Sequence, residues 1–342
     1  VLLLDSSQHH PANPLFVEAL GELSAERGFG CSIVDEADYL AELGGKRNQV
    51  ARLLGRRGPE VAGVNKELVQ KASAADVNVA VVVKGSYVLP HTVSHLRQQG
   101  IVVMNFATDD PFNQATTACV REALTEYDIY FSTKRAVMDD LRRAGCRRVE
   151  YMPFAYKPTV HFREPIQASD EAHEFACDVA FIGGADDTRA PFFERLVRAE
   201  PRLRLNLYGG YWDRYKGLRK YHRGLAVGRN FRLAVAGAAM CINLVRRANR
   251  DGHVMRTFEL PACGAFVVAE RTDEHEELFA EGREIAFFDG RDELVDVVRH
   301  YLPKGEERSR IAVTGQDKVR NGSHTYKDRL LAMLVQAGFN VA

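Results

Sequence analysis

Short, uninterrupted apolar runs alternate with stretches of helical period almost from one end of the chain to the other. In the first half the runs are VLLLD (1–5), GCSIVD (30–35), VNVAVVVK (77–84), IVVMNF (101–106), DIYFS (128–132) and VEYMPF (149–154). Between them, residues 14–27, 89–99 and 134–144 carry the helical pattern. A strand inside a parallel sheet is covered by helices on both faces, so it reads as a continuous apolar run rather than an alternation. The prolines and charges of YKPTVHFREPIQASDEAHE (156–174) break this rhythm and predict a linker. A second series follows: DVAFIGG (178–184), LRLNLYGG (203–210), MCINLV (240–245), AFVVAE (265–270) and EIAFFD (284–289), closed by helices over 304–320 and 323–337. The pattern predicts an α/β chain of two tandem, doubly wound Rossmann-like domains, 1–160 and 161–342, with the last helix returning to the first domain. Such sheets bind ligands at the carboxyl ends of their strands, so a cleft between the domains is expected.

Composition narrows the classes. With 342 residues there is material for two cores, and 46% hydrophobic with 27% charged residues is ordinary for a globular chain. Formal net charge is zero, which argues against a nucleic-acid binder. The basic clusters at 46–57 and 142–148 read as solvated helix faces, whereas the one at 246–250 adjoins the richest motif. Six cysteines are scattered without CxxC spacing, which argues against a disulfide framework and a structural zinc site. No apolar run is long enough to be a transmembrane helix, and VLLLD lacks the basic lead of a secretion signal, so a cytoplasmic location is expected.

Candidate chemistry sits at the predicted strand ends. FIGGADDTR (181–189) puts Gly183 and Gly184 after a strand and ahead of a helix, where backbone N–H groups approach an anion closely, with Arg189 nearby. An ordinary strand-end turn explains the glycine pair equally well. LYGGYW (207–212) repeats the arrangement with Tyr208 and Gly209 and adds aromatic faces for a base or sugar, although packed aromatics on a tight turn are the simpler reading. CINLVRRANRDGHVMRTFELPACGAFVVAE (241–270) is the most specific stretch. Asn243 ends a strand, and a helix is expected to start near Gly252 or His253. Arg256 then acts with the positive helix end on a diphosphate, beside Thr257. Glu259 lies at i+3 from Arg256, on the same face, placed to accept hydrogen bonds from two neighbouring hydroxyls. A plain Arg–Glu surface pair is the alternative. In the first domain NFATDDPFN (105–113) offers Asp109 and Asp110, and DSSQHHPANP (5–14) offers His9 and His10; with His91 these are candidate bases.

The acid-x7-acid spacing of Asp251 and Glu259, followed by the small-residue turn ACG, resembles the donor-binding segment of GT-B glycosyltransferases, whose retaining members use Glu-x7-Glu. The longer stretch from NLVRRANRDGHVMRTFELPACG to FFDGRDEL, with DVAFIGG, HTYKDR (324–329) and TDDPFN (108–113), is similar to the CgeB-like, spore-maturation branch, over most of the chain and most strongly from about 178 to 330. The resemblance implies a GT-B fold and transfer of a sugar from a nucleoside-diphosphate sugar to a hydroxyl of a glycan, protein or small-molecule acceptor. It implies that Glu259 binds the nucleotide ribose and that Asp251 lies near the donor sugar. Aspartate is one methylene shorter than the glutamate usual there. The spacing leans toward retention, and the arginines toward charge neutralisation without a metal or other cofactor. The alternatives are a non-catalytic sugar-nucleotide binder and a GT-B-type epimerase.

Overall fold

The structure, a computed structural model, describes residues 1–5, 13–35, 59–74, 76–113, 116–167 and 169–340. The chain divides into two compact units. The first comprises Val1–Pro153, Ala248–Arg250 and Tyr326–Ala342, and the second Phe154–Arg247 and Asp251–Thr325.

The first unit is built on β1 (Leu2–Asp5), β2 (Ser32–Asp35), β3 (Val79–Val83), β4 (Val102–Ala107), β5 (Ile129–Ser132) and β6 (Val149–Tyr151). They pair in the order β2-β1-β3-β4-β5-β6, every pair parallel. All five residues of β3 are buried, as its unbroken apolar run requires of a strand covered on both faces. Helix Tyr326–Gln336, distant in sequence, packs on helix Asn13–Arg27: Phe16 meets Tyr326 edge-on at 4.9 Å and Phe106 at 4.7 Å.

The second unit holds β7 (Cys177–Ile182), β8 (Leu205–Tyr208), β9 (Ala238–Asn243), β10 (Val267–Glu270) and β11 (Ala286–Phe288). Their order is β11-β10-β9-β7-β8, again all parallel. Helix Ala190–Ala199 buries Phe192, Phe193 and Leu196, and Trp212 closes the cluster edge-on to Phe181 and Phe193. Phe193 and Trp212 are both fully buried, and truncating either to alanine costs about 3–5 kcal/mol.

Two segments depart from expectation. The helix expected from Gly252 or His253 begins at Arg256 and is only one and a half to two turns long, Arg256–Ala262. Gly252 and His253 are tied into a tertiary turn instead. A Cβ on Gly252 would lie 2.4 Å from the Glu274 carboxyl, His253 Nδ1 donates to Glu274 Oε2 at 2.6 Å, and its Nε2 accepts Phe154 N–H at 3.0 Å. The stretch expected as a linker over 156–174 buries Lys157 and His161 and turns helical at Ser169–Phe175.

The six cysteines form no disulfide. Cys31 is exposed, Cys146 is half-buried, and Cys119, Cys177, Cys241 and Cys263 are buried. Burial pushes the Cys146 thiol up to about 11 and those of Cys177 and Cys263 to about 12.

Candidate functional site

In the second unit the chain runs from β7 to β8 on one side and returns to β9 on the other. Such a reversal, here at the carboxyl ends of β7 and β9, marks the general ligand position of open α/β sheets. Two distant arginines are anchored there. Arg189 donates to Gly184 O at 3.3 Å and to Leu244 O, just beyond β9, at 3.1 Å. Arg256 donates through Nε to Ile182 O, the last carbonyl of β7, at 3.0 Å. Arg189 is 8% exposed, and burial lowers its pKa to about 10, so it stays cationic at neutral pH. The nearest carboxylate, Asp186, is 3.8 Å from its Nε. The surrounding charges include Arg246, Asp251 and Glu270.

The two Gly-Gly turns interlock. Gly183 N–H donates to Tyr208 O at 2.8 Å, Ala185 N–H to Gly210 O at 2.9 Å, and Trp212 Nε1 to Gly183 O at 2.9 Å. Gly209 has φ +126°, and a Cβ on it would sit 2.4 Å from Gly183 O. Glycine is therefore required at 209 by backbone-to-backbone packing. The amides at the start of helix Ala190–Ala199 already have an acid: Asp186 Oδ1 accepts N–H from Thr188 and Arg189, both at 2.9 Å, and the Thr188 hydroxyl at 2.6 Å. Burial raises the Asp186 pKa, but these hydrogen bonds and Arg189 outweigh it and leave a net lowering. Tyr208 is 4% exposed and Trp212 fully buried, so of the aromatics in LYGGYW only Tyr211 offers a solvent-facing ring. Burial lifts the Tyr208 phenol to about 12.

Glu259 is 1% exposed. It pairs with Arg256, and its other oxygen lies 3.5 Å from His161 Nε2. Because His161 Nδ1 accepts Lys157 N–H at 3.1 Å, the neutral ring carries its proton on Nε2, toward Glu259. Burial holds His161 below its ordinary pKa, opposed by the Glu259 carboxylate. The Arg256 guanidinium also lies 4.6 Å above the Phe231 ring. The Arg–Glu pair expected at i,i+3 thus exists, but with its acid in the core rather than at the surface.

Asn243 ends β9, and its amide donates to Thr257 Oγ1 at 3.1 Å, which also accepts Val254 N–H at 3.1 Å. Thr257 in turn donates to His275 Nε2 at 2.9 Å, because His275 Nδ1–H is committed to Glu270 O at 2.7 Å. Burial lowers the His275 pKa to about 4, so the relay is neutral. Arg189 Nε and Asn243 Oδ1 are buried without a hydrogen-bond partner. Asp251 is half-buried, its N–H on Arg246 O at 3.3 Å. His161 and His275 escape a reading of composition. The latter carries a local signal, since Thr272 ahead of DEH caps helix Asp273–Leu278 by accepting His275 N–H at 3.0 Å.

In the first unit Asp109 and Asp110 follow β4. Asp110 is 3% exposed, accepts Phe112 N–H at 2.9 Å, and binds Arg250 through two contacts of 2.6 and 3.1 Å. Asp109 is more open: its side chain is 25% exposed, with Lys84 Nζ at 3.0 Å and Asn249 Nδ2 at 3.3 Å. His91 is exposed on helix Pro90–Gln98. His9 and His10 lie outside the described residues. No group of three or more His, Cys, Asp or Glu side chains among the described residues has metal-binding geometry, and no helix among them is long and apolar enough to cross a membrane.

This architecture recurs in solved structures. The HepE protein (Alr3699) of Anabaena in complex with UDP and glucose aligns with a TM-score of 0.64 at 11% identity, over 98% of this chain and 99% of that one. AviGT4, a glycosyltransferase involved in avilamycin A biosynthesis, aligns at 0.59 with 17% identity, over 99% and 98%. A Listeria monocytogenes protein assigned as a UDP-N-acetylglucosamine 2-epimerase aligns at 0.57 with 10% identity, over 100% and 97%. The two parallel-sheet halves are thus those of the GT-B fold. Residues 189–335, which span Arg189, Asn243 and the whole Asp251–Glu259 motif, match a family described as glycosyl transferase-like. No curated protein sequence matches the chain.

Proposed function

We propose that the protein transfers a sugar from a nucleoside-diphosphate sugar to an acceptor hydroxyl, with the donor held by the second unit. The observation that carries this is the convergence of Arg189 and Arg256 on the carboxyl ends of β7 and β9. Negative charge grows on the diphosphate as the bond to the anomeric carbon breaks, and fixed guanidinium groups stabilise it without the reorganisation that water requires. In this reading Gly183, Gly184 and Tyr208 shape the floor of the crevice, and Asn243 and Thr257 its far wall. Glu259 orients Arg256 and receives the ribose, and Asp251 reaches toward the sugar. The Asp251–Glu259 spacing supports retention, in which no strong base need face the acceptor. Asp109 is a better-exposed candidate than Asp110 for contact with the acceptor. The arginine pair supports a metal-independent reaction. The CgeB-like branch is the subfamily its motifs fit best.

The likeness to a 2-epimerase of the same fold keeps one rival in play. Incubating the protein with a panel of nucleotide sugars separates the readings. A transferase releases free nucleoside diphosphate, slowly to water and faster with an acceptor; an epimerase returns an isomeric donor; a binding protein returns the donor unchanged. Proton NMR of the product anomer reads retention or inversion, and activity that survives a chelator reads metal independence.

A further inference from the structure

Between β8 and helix Arg229–Ala236 the chain forms a lobe along the edge of the second sheet. It leaves at Gly210 and returns by Arg223 N–H to Leu207 O at 2.9 Å and Gly209 N–H to Gly224 O at 2.8 Å. Trp212, Leu218 and Ala226 root it in the core at 0%, 0% and 7% exposure. Its outer surface is of a different kind. Arg214, Lys216, Arg219, Lys220 and Arg223 are all exposed, and Asp213 is the one acid from Tyr211 to Gly228. None of these five cations pairs with a carboxylate among the described residues. Arg214 lies over the Tyr211 ring at 4.3 Å, Arg219 donates to the Asp213 carbonyl at 3.1 and 2.9 Å, Lys220 lies 4.9 Å from the Tyr221 ring, and Arg223 donates to Asn206 Oδ1 at 2.8 Å. Farther along the same segment Leu225 and Val227 stand 70% and 73% exposed on either side of buried Ala226, and Tyr211 is 57% exposed.

A neutral chain that gathers uncompensated cations and protruding apolar side chains on one lobe has the chemistry of a membrane-surface contact. We propose that the 211–228 lobe docks on an anionic lipid bilayer, its basic side chains on headgroup phosphates and Leu225, Val227 and Tyr211 in the interfacial layer. A nucleic acid would use the cations but gains nothing from exposed Leu225 and Val227. A second copy of the chain would bring like charges together. This inference is independent of the reaction assigned to the second unit.

Cosedimentation of the whole protein with phosphatidylcholine vesicles, with and without phosphatidylglycerol, tests it. Binding is expected only with phosphatidylglycerol and falls as salt is raised. Each basic side chain at an anionic surface is worth about a fivefold change in partition, so K216A/K220A weakens binding by about 25-fold. L225S/V227S weakens vesicle binding several-fold and leaves retention on heparin unchanged. The substituted side chains are exposed, so melting temperatures stay at the wild-type value; if K216A/K220A falls below it, R214Q/K216Q takes its place. Absence of a phosphatidylglycerol preference overturns the proposal. So does wild-type vesicle binding by L225S/V227S, which would leave a purely electrostatic contact that any polyanion could make.

Discussion

Replacing Gly209 by alanine is the sharpest test of how the two Gly-Gly turns support the arginine site. Two costs add at this position. The backbone is at φ +126°, outside the range of an L residue, and holding a side chain there costs about 1–3 kcal/mol. The new methyl would lie 2.4 Å from Gly183 O and 2.5 Å from Gly183 C, both backbone atoms, so no rotamer change relieves the contact. Forcing a methyl into such packing costs about another 1–3 kcal/mol. For a unit of this size each kcal/mol lowers the melting temperature by about 2–4 °C, so Gly209→Ala is expected to melt roughly 10 °C below wild type. Gly210, its neighbour, is the control: no atom lies within 4 Å of its Cβ position and its φ is not positive. Gly210→Ala should melt within about 1 °C of wild type. Differential scanning fluorimetry on both variants decides the matter. Equal melting of Gly209→Ala and wild type, or an equal fall in both variants, would refute the packing argument.

Three further outcomes follow from the same geometry. Glu259→Gln removes the charge that faces Arg256, and because the Arg256 side chain remains 29% exposed and can rehydrate, the loss is about 1–3 kcal/mol in urea denaturation rather than the full cost of a buried orphan. His275 has a folded pKa of about 4 against 6.5 in its ordinary state. The folded protein therefore binds fewer protons than the unfolded one between these values. The stabilisation is complete above pH 6.5, is lost as pH falls toward 4, and amounts to about 3 kcal/mol. His275→Asn should flatten that part of the stability–pH curve, and an unchanged slope would refute the neutral relay. Arg189→Ala removes a buried cation from the crevice and should weaken nucleoside-diphosphate binding by about 10- to 100-fold in calorimetric titration.

The strands were legible because burial on both faces leaves an unmistakable trace: β3, β7 and β10 are near-continuous apolar runs, and their separation by helical stretches implies parallel pairing. The Asp251–Glu259 motif was legible for a similar reason, since its spacing is local. What could not be read is whatever depends on distant partners. Nothing near Glu259 announces His161, which approaches it from a proline-rich stretch almost a hundred residues earlier. The partner of Asp110, read as a candidate base, is hidden for the same reason, since Arg250 is 140 residues away. Tyr208, Tyr211 and Trp212 are neighbours with the same aromatic character, yet only the left-handed turn at Tyr211, φ 71°, sends a ring to solvent. The start of helix Arg256–Ala262 was misplaced because Gly252 and His253 obey Glu274 and Phe154 rather than local propensity.

The distribution of the cysteines makes the protein, in effect, a single-thiol molecule. A maleimide reacts with the thiolate, and burial both shields Cys177 and Cys263 and holds their pKa at about 12, far above any labelling buffer. Cys119 and Cys241 are likewise enclosed, and Cys146 donates to Leu124 O with its pKa at about 11. That leaves Cys31, at the mouth of β2 in the first unit. A fluorophore or spin label added to the unmodified protein should therefore settle on the first unit alone, giving a reporter confined to that unit without any cysteine having to be removed.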